Sequence, residues 1–211
     1  MNENGLSQDI LKEIFNIGVG KAASMLSEIV DKKIILDIPN IIILEPENQN
    51  KEICDHFSKL PQGALMVSSI NFEEKITGEA NLLFPANKMR NFINLCINQP
   101  EYIGEDDLNF TDMDFDIIKE IGNIILNSIV GEIGNVFNID LKYTLPEVKL
   151  FDRNNFKNNL KSKKGLCMLM LYITFVIDDV RIEGAVIINL TLDSLNELME
   201  MIKKMEEDIN G

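Results

Sequence analysis

Residues 9–17 read DILKEIFNI and residues 116–124 read DIIKEIGNI. Seven of the nine positions are identical, at an offset of 107. The same offset pairs Pro39 with Pro146, and a looser likeness links ITGEANLLF at 76–84 with IEGAVII at 182–188. A solenoid would show a shorter period and more copies. The pattern is a single duplication, with an N-terminal half at 1–100 and a C-terminal half at 108–211.

Each half reads as helix–strand–strand–strand–helix. In the first, residues 6–31 carry Ile10, Leu11, Ile14, Phe15, Ile17, Ala22, Met25 and Leu26 at helical spacing. Ser7 is placed as an N-cap. Residues 33–44 read as a strand pair or one strand bent around Pro39. Residues 64–72 and 76–84 read as two strands joined at Glu73–Lys75, and 86–98 as a helix. The second half repeats the order: helix 112–136, strand 139–149, strands 166–177 and 180–189, helix 191–207. The acidic segment 98–110 reads as the linker and 45–62 as a loop or short helix. The basic stretch DRNNFKNNLKSKK (152–164) reads as a loop. A half of this size buries its core only marginally alone. The expected fold is one α+β domain over 1–211, with two pseudo-twofold-related halves sharing one sheet and one core.

The net charge of −14 removes the basic footprint of a nucleic-acid binder and the polybasic segment of a lipid-docking protein. Hydrophobic residues make up 45% of the chain, enough for a packed core. The start MNENGLSQD is polar and acidic, unlike a secretory signal. The longest mostly apolar run, Leu166–Ile177, is shorter than the roughly 20 residues a membrane helix needs and reads as a buried strand. Cys54, Cys96 and Cys167 form no CxxC, and His56 is the single histidine, so no Cys/His zinc cluster is available. A GxSxG elbow and a P-loop are also missing. The expectation is a soluble, reduced, cytoplasmic protein without membrane insertion and with free thiols.

On a helical wheel Asp9, Glu13 and Asn16 fall within an arc of about 60°, followed by Gly20, Ser24 and Ser27. Asp116, Glu120 and Asn123 hold the same arc in the second half, followed by Asn127, Gly131 and Gly134. An acid near a helix start suits the helix dipole, which accounts for Asp9 and Asp116 without any site. Exposed Asn is a mediocre helix former. Glu-x-x-Asn at matching positions therefore points either to a shared function or to likeness left over from duplication. Each paired proline suits a strand start or edge.

D-x-x-x-E-x-x-N with Pro 23 residues beyond the Asn resembles the signature of the CheC/CheX/FliY phosphatases of chemotaxis. It occurs twice: Asp9, Glu13, Asn16, Pro39 and Asp116, Glu120, Asn123, Pro146. Two copies spanning nearly the whole chain look most like the CheC type. The resemblance implies hydrolysis of the aspartyl phosphate of the response regulator CheY. Asn16 and Asn123 would orient the attacking water, and Glu13 and Glu120 would dock on the regulator's active-site Lys. Asp9 and Asp116 would cap or position their helices. It implies no cofactor of the chain's own, with Mg²⁺ in the regulator's pocket. It adds CheD as a second partner, with the 152–164 stretch one candidate surface, and a monomer is expected. The Asn123 site is expected to be the stronger, with Gly122 and Gly131 letting its helix approach a partner closely. The competing readings are a non-catalytic adaptor that binds phosphorylated CheY or CheD, and a FliY-like flagellar-switch component.

Overall fold

The computed structural model describes residues 3–44, 53, 55–56, 63–97, 108–163, 165–178 and 180–210. The elements are α1 (Glu3–Val30), β1 (Ile34–Leu44), β2 (Ala64–Glu73), β3 (Gly78–Pro85), α2 (Ala86–Cys96) and α3 (Asp112–Phe137). They continue with β4 (Lys142–Tyr143), β5 (Glu147–Asp152), α4 (Arg153–Ser162), β6 (Cys167–Ile177), β7 (Val180–Leu190) and α5 (Leu192–Asn210). The α+β expectation holds.

All strand pairings are antiparallel, in the order β1-β6-β7-β3-β2, with β5 and the short β4 both against the far side of β2. Exchanging the halves turns β1, β2 and β3 into β5, β6 and β7 and reads the same order backwards. The pseudo-twofold runs through the central β3–β7 pair, where Leu82 faces Val186. Each edge strand pairs with the other half: β1 with β6, and β5 with β2. The two halves therefore share one sheet, as expected from the duplication.

Pro39 sits within the edge strand β1, and Pro146 directly precedes the edge strand β5. In β1 the register against β6 shifts between Asp37 and Asn40, around Pro39. In the second half Pro146 separates β4 from β5, so the expected strand 139–149 is two pieces. Proline lacks the N–H a central strand must donate, so the ladder breaks there at little cost.

One sheet face packs on α1 and α3. Leu11, Ile14, Phe15, Val19, Ala22, Leu26 and Val30 of α1 are buried, as are Ile118, Ile121, Ile125, Ile129 and Ile133 of α3. The opposite face carries a smaller cluster of Phe156 and Leu160 of α4 with Leu65, Val67, Leu83, Met168, Met170 and Ile187. This corrects the loop reading of 152–164. Asp152 caps α4 by accepting from the Asn154 and Asn155 N–H groups, and Phe156 and Leu160 lie one turn apart on its buried side. Burying two such side chains contributes about 1.5–3 kcal/mol each, enough to hold a short polar helix. It also explains why Cys167–Leu171 are buried without alternation: that part of β6 is covered on both faces.

Ser7 is not a cap. α1 starts at Glu3, and the Ser7 hydroxyl donates to Glu206 Oε1 of α5 at 2.6 Å. Asp9 therefore lies beyond the first turn. Most of 45–62 and of the expected linker 98–110 lies outside the described residues.

α3 begins with a capping box absent from the sequence reading. The Thr111 side chain accepts from Asp114 N (3.3 Å), and Asp114 Oδ2 accepts from Thr111 N (2.7 Å) and Oγ1 (2.9 Å). Arg90 of α2 donates to the same oxygen at 2.8 Å and to the Asn109 carbonyl, with its guanidinium 4.6 Å from the centre of the Phe110 ring. Burial by itself would raise the Asp114 carboxyl. The Thr111 N–H, the Arg90 and Thr111 side-chain hydrogen bonds and the Arg90 charge outweigh it and hold the group below its ordinary value. Asp116, in the next turn, is not the cap.

Two outcomes follow. A Cβ on Gly18 would stand 2.8 Å from the Ser128 carbonyl and 3.0 Å from Ile129 Cα, where α1 crosses α3. Overpacking of that kind costs about 1–3 kcal/mol and the better helix propensity of Ala returns about 1 kcal/mol. Gly18→Ala should thus lose up to about 2 kcal/mol in urea unfolding; a gain of about 1 kcal/mol, the bare helix propensity of Ala, would mean the helices are not in close contact. Asp114→Ala should cost about 2–4 kcal/mol at neutral pH. A lowered folded pKa contributes stability above the unfolded value, so the gap between wild type and variant should close as pH falls below 3.8. A pH-independent gap would contradict the ionised cap.

Candidate functional site

The long apolar stripes of α1 and α3 fix which residues face out. Asp9 and Glu13 are exposed on α1 and Asn16 is half-buried at the margin of the same face. Asp116 and Glu120 are exposed on α3 and Asn123 is half-buried. In each half, therefore, the carboxylate stands clear of the surface and the carboxamide lies lower, against the fold.

Both carboxamide oxygens are held, by different donors. Asn16 Oδ1 accepts from the backbone N–H of Ile38 at 3.2 Å. Ile38 and Pro39 fall in the register break of β1 and pair with nothing in β6. The proline-broken strand thus frees an N–H, and the motif Asn takes it. This ties Asn16 to the Pro39 region, a link the spacing alone did not reveal. In the second half the position equivalent to Ile38 is Leu145, which is 82% exposed. Asn123 Oδ1 accepts instead from Asn127 Nδ2 at 2.7 Å, one turn along α3. The equivalent of Asn127 is Gly20, around which a Cβ would meet open space. The prolines differ too: Pro39 is exposed and Pro146 buried.

The surroundings of the two motifs also diverge. Ile17, beside Glu13, is 40% exposed, whereas its counterpart Ile124 is 6% exposed. Ser24 is exposed, but Ser27 is committed to the fold: its hydroxyl donates to the Ala23 carbonyl at 2.6 Å and accepts from Ile34 N at 3.0 Å. Lys21 of α1 pairs with the buried Glu132 of α3, which also accepts from Asn135 Nδ2 at 3.2 Å. That ion pair spans the two motif-bearing helices.

The stripe of small residues on α3 does not face a partner throughout. A Cβ on Gly122 would lie 2.1 Å from Ser68 Oγ of β2, so this glycine serves internal packing. Gly134 is buried against the Ile139 carbonyl, where the helix ends on the left-handed Asn138. Gly131 is half-buried and close to Tyr143. The geometric reason for a stronger second site, a closer approach through Gly122, therefore does not hold.

Other nucleophiles are poorly placed. Cys96 and Cys167 are free thiols, as expected; Cys167 is buried, and burial pushes the Cys96 thiol up to about 12. Cys54 lies outside the described residues. Among those residues no group of three or more His, Cys, Asp or Glu side chains is arranged to hold a metal ion. No helix among them is long and apolar enough to cross a membrane.

Three comparisons bear on these sites. A model of the CheC-like family matches residues 6–43, a span that contains Asp9, Glu13, Asn16 and Pro39. The CheY-P phosphatase CheC of Bacillus subtilis is 28% identical over 152 residues, 70% of this chain and 69% of that one. Among solved structures, FliY of Thermotoga maritima superposes with a TM-score of 0.73 at 16% identity, covering 97% of this chain and 99% of that one. The FliM middle domain of H. pylori gives 0.61 at 11% identity, covering 95% and 99%. At such identities the structural likeness speaks to the fold alone. Residues 6–43 thus match the CheC-like family, and the chain shares its fold with FliY and the FliM middle domain.

Proposed function

We propose that this chain is a phosphatase that removes the aspartyl phosphate of phosphorylated CheY. The carrying observation is the paired site: in each half an exposed Glu and a half-buried Asn whose carboxamide oxygen is fixed by a donor. The sequence likeness to a protein named CheY-P phosphatase CheC supports the substrate. An acyl phosphate is already activated, so what is missing is an aligned water. A carboxamide accepts from and donates to a water without titrating, as Gln does in GTPases. The water oxygen bonds to phosphorus, the bond from phosphorus to the aspartyl oxygen breaks, and the carboxylate leaves with the electron pair. Asn16 and Asn123 align the water. Glu13 and Glu120, one turn away and exposed, pair with a lysine of the regulator in a charge-assisted contact.

Mg²⁺ in this reading belongs to the regulator's own acidic pocket, and the chain contributes no cofactor. CheD is a second partner, the chain acts as a monomer, and each half supplies a site of its own. An adaptor would protect or sequester the phosphorylated regulator in proportion to its own concentration. The same fold in FliY and FliM leaves a switch-component role as the alternative.

The test is phosphate release from Mg²⁺-bound phospho-CheY with the chain substoichiometric. Wild type should turn over. Asn16→Ala/Asn123→Ala, checked as folded, should lose about 100-fold or more in kcat, the scale of removing a group that acts in the transition state. Glu13→Ala/Glu120→Ala should act mainly through KM. A folded double Asn variant with undiminished turnover would overturn the assignment.

A further inference from the structure

The two motifs match in sequence, yet their carboxamides are held by unrelated means. In the first half the donor is backbone, the Ile38 N–H released at the Pro39 break. In the second half that strand position carries Leu145, exposed to 82%, and the donor is the side chain of Asn127 at 2.7 Å. The position equivalent to Asn127 in the first half is a glycine in open space, which has no donor to offer and needs none.

Asn127 is also an expensive residue for its place. It stands in the interior of α3, where Asn is a poor helix former compared with Ala. Its Oδ1 is buried and has no hydrogen-bond partner among the described residues, a state that costs stability. Stability would therefore favour an apolar or small residue here. The one interaction that Asn127 makes through its side chain among the described residues is the hydrogen bond to Asn123.

We propose that Asn127 is a positioning residue of the second site, there to fix the Asn123 carboxamide, and that it does so at the expense of stability. The hydrogen bond sets the rotamer of Asn123 and occupies one lone pair of its oxygen. The other lone pair and the Nδ2 hydrogens remain for a water. The first site obtains the same pre-organisation from the strand break, so the two halves reach one geometry by separate routes. As far as activity is concerned, this rests on the phosphatase reading above; the side-chain ordering does not.

The test uses the full chain in an Asn16→Ala background, where only the second site operates. Adding Asn127→Ala should lower kcat about tenfold, since small misplacements of a reacting group cost up to about 100-fold, with KM within about twofold. The melting temperature should stay level or rise, because a buried unpaired oxygen is removed. Asn127→Gln, which keeps an amide donor, should recover part of kcat. Nitrogen-15 relaxation of the Asn123 side-chain amide should show a lower order parameter in Asn127→Ala. Unchanged kcat, or a fall in melting temperature with kcat and KM lost together, would overturn the proposal. If the Asn16→Ala parent shows no turnover, the phosphatase reading fails for this site. The relaxation data then decide separately: unchanged order at Asn123 would overturn the positioning role.

Discussion

Neither half of this chain can complete its own sheet. β1 finds its hydrogen-bond partner in β6 of the other half, and β5 finds its partner in β2. Everything else follows from that exchange. It places the two N-terminal strands of the halves at opposite edges, where a ladder can be interrupted without stranding buried backbone groups. Proline occupies both interruptions. The exchange also brings α1 and α3 together over one face, close enough at Gly18 that a methyl group would collide with the Ser128 backbone. Two copies of one helix motif thus end up side by side on a shared, rigid core.

The edge position also frees a backbone donor. A central strand could not release the Ile38 N–H, because its ladder would be broken at a cost. At the edge the release is cheap, and the free donor lies where Asn16 can take it. The second half has drifted. Its strand splits into β4 and β5, Leu145 turns outward, and a side chain on α3 supplies the donor instead. Duplication gave the chain two copies of one motif, and local packing now holds the two carboxamides by different donors. On the proposed reading, this keeps two water-aligning groups in one small protein without a cofactor.

Much of this was legible in the residues. The matching runs at 9–17 and 116–124 marked the duplication, and the helical wheel put Glu13 and Glu120 on outward faces, as found, with Asn16 and Asn123 half-buried at the margin. The prolines were readable as edge residues, but the role of Pro39 depends on strand register, which no local pattern encodes. α4 was missed because its sequence is mostly Asn and Lys, with only Phe156 and Leu160 to anchor it. Its signal was the Asp152 cap and the one-turn spacing of the two apolar residues, a pattern too short to separate from a loop. Ser7 was misjudged because a good capping residue can also serve inside a helix, here by bonding to Glu206. Thr111 and Asp114 carried a visible capping-box spacing, yet the Arg90 contact that completes it comes from another element and is set by tertiary packing. Gly122 invited a reading as a contact surface, and only the proximity of Ser68 reveals it as a packing residue.

On the proposed reading the chain aligns a water on an acyl phosphate and is released to do so again. Hydrolysis of phospho-CheY in oxygen-18 water, with the chain well below the regulator in concentration, tests it most directly. Several phosphates should be released per chain, above the regulator's own rate, each carrying a solvent oxygen on phosphorus. Release of no more than one phosphate per chain, or label appearing in the regulator's aspartate instead of in the phosphate, would contradict it.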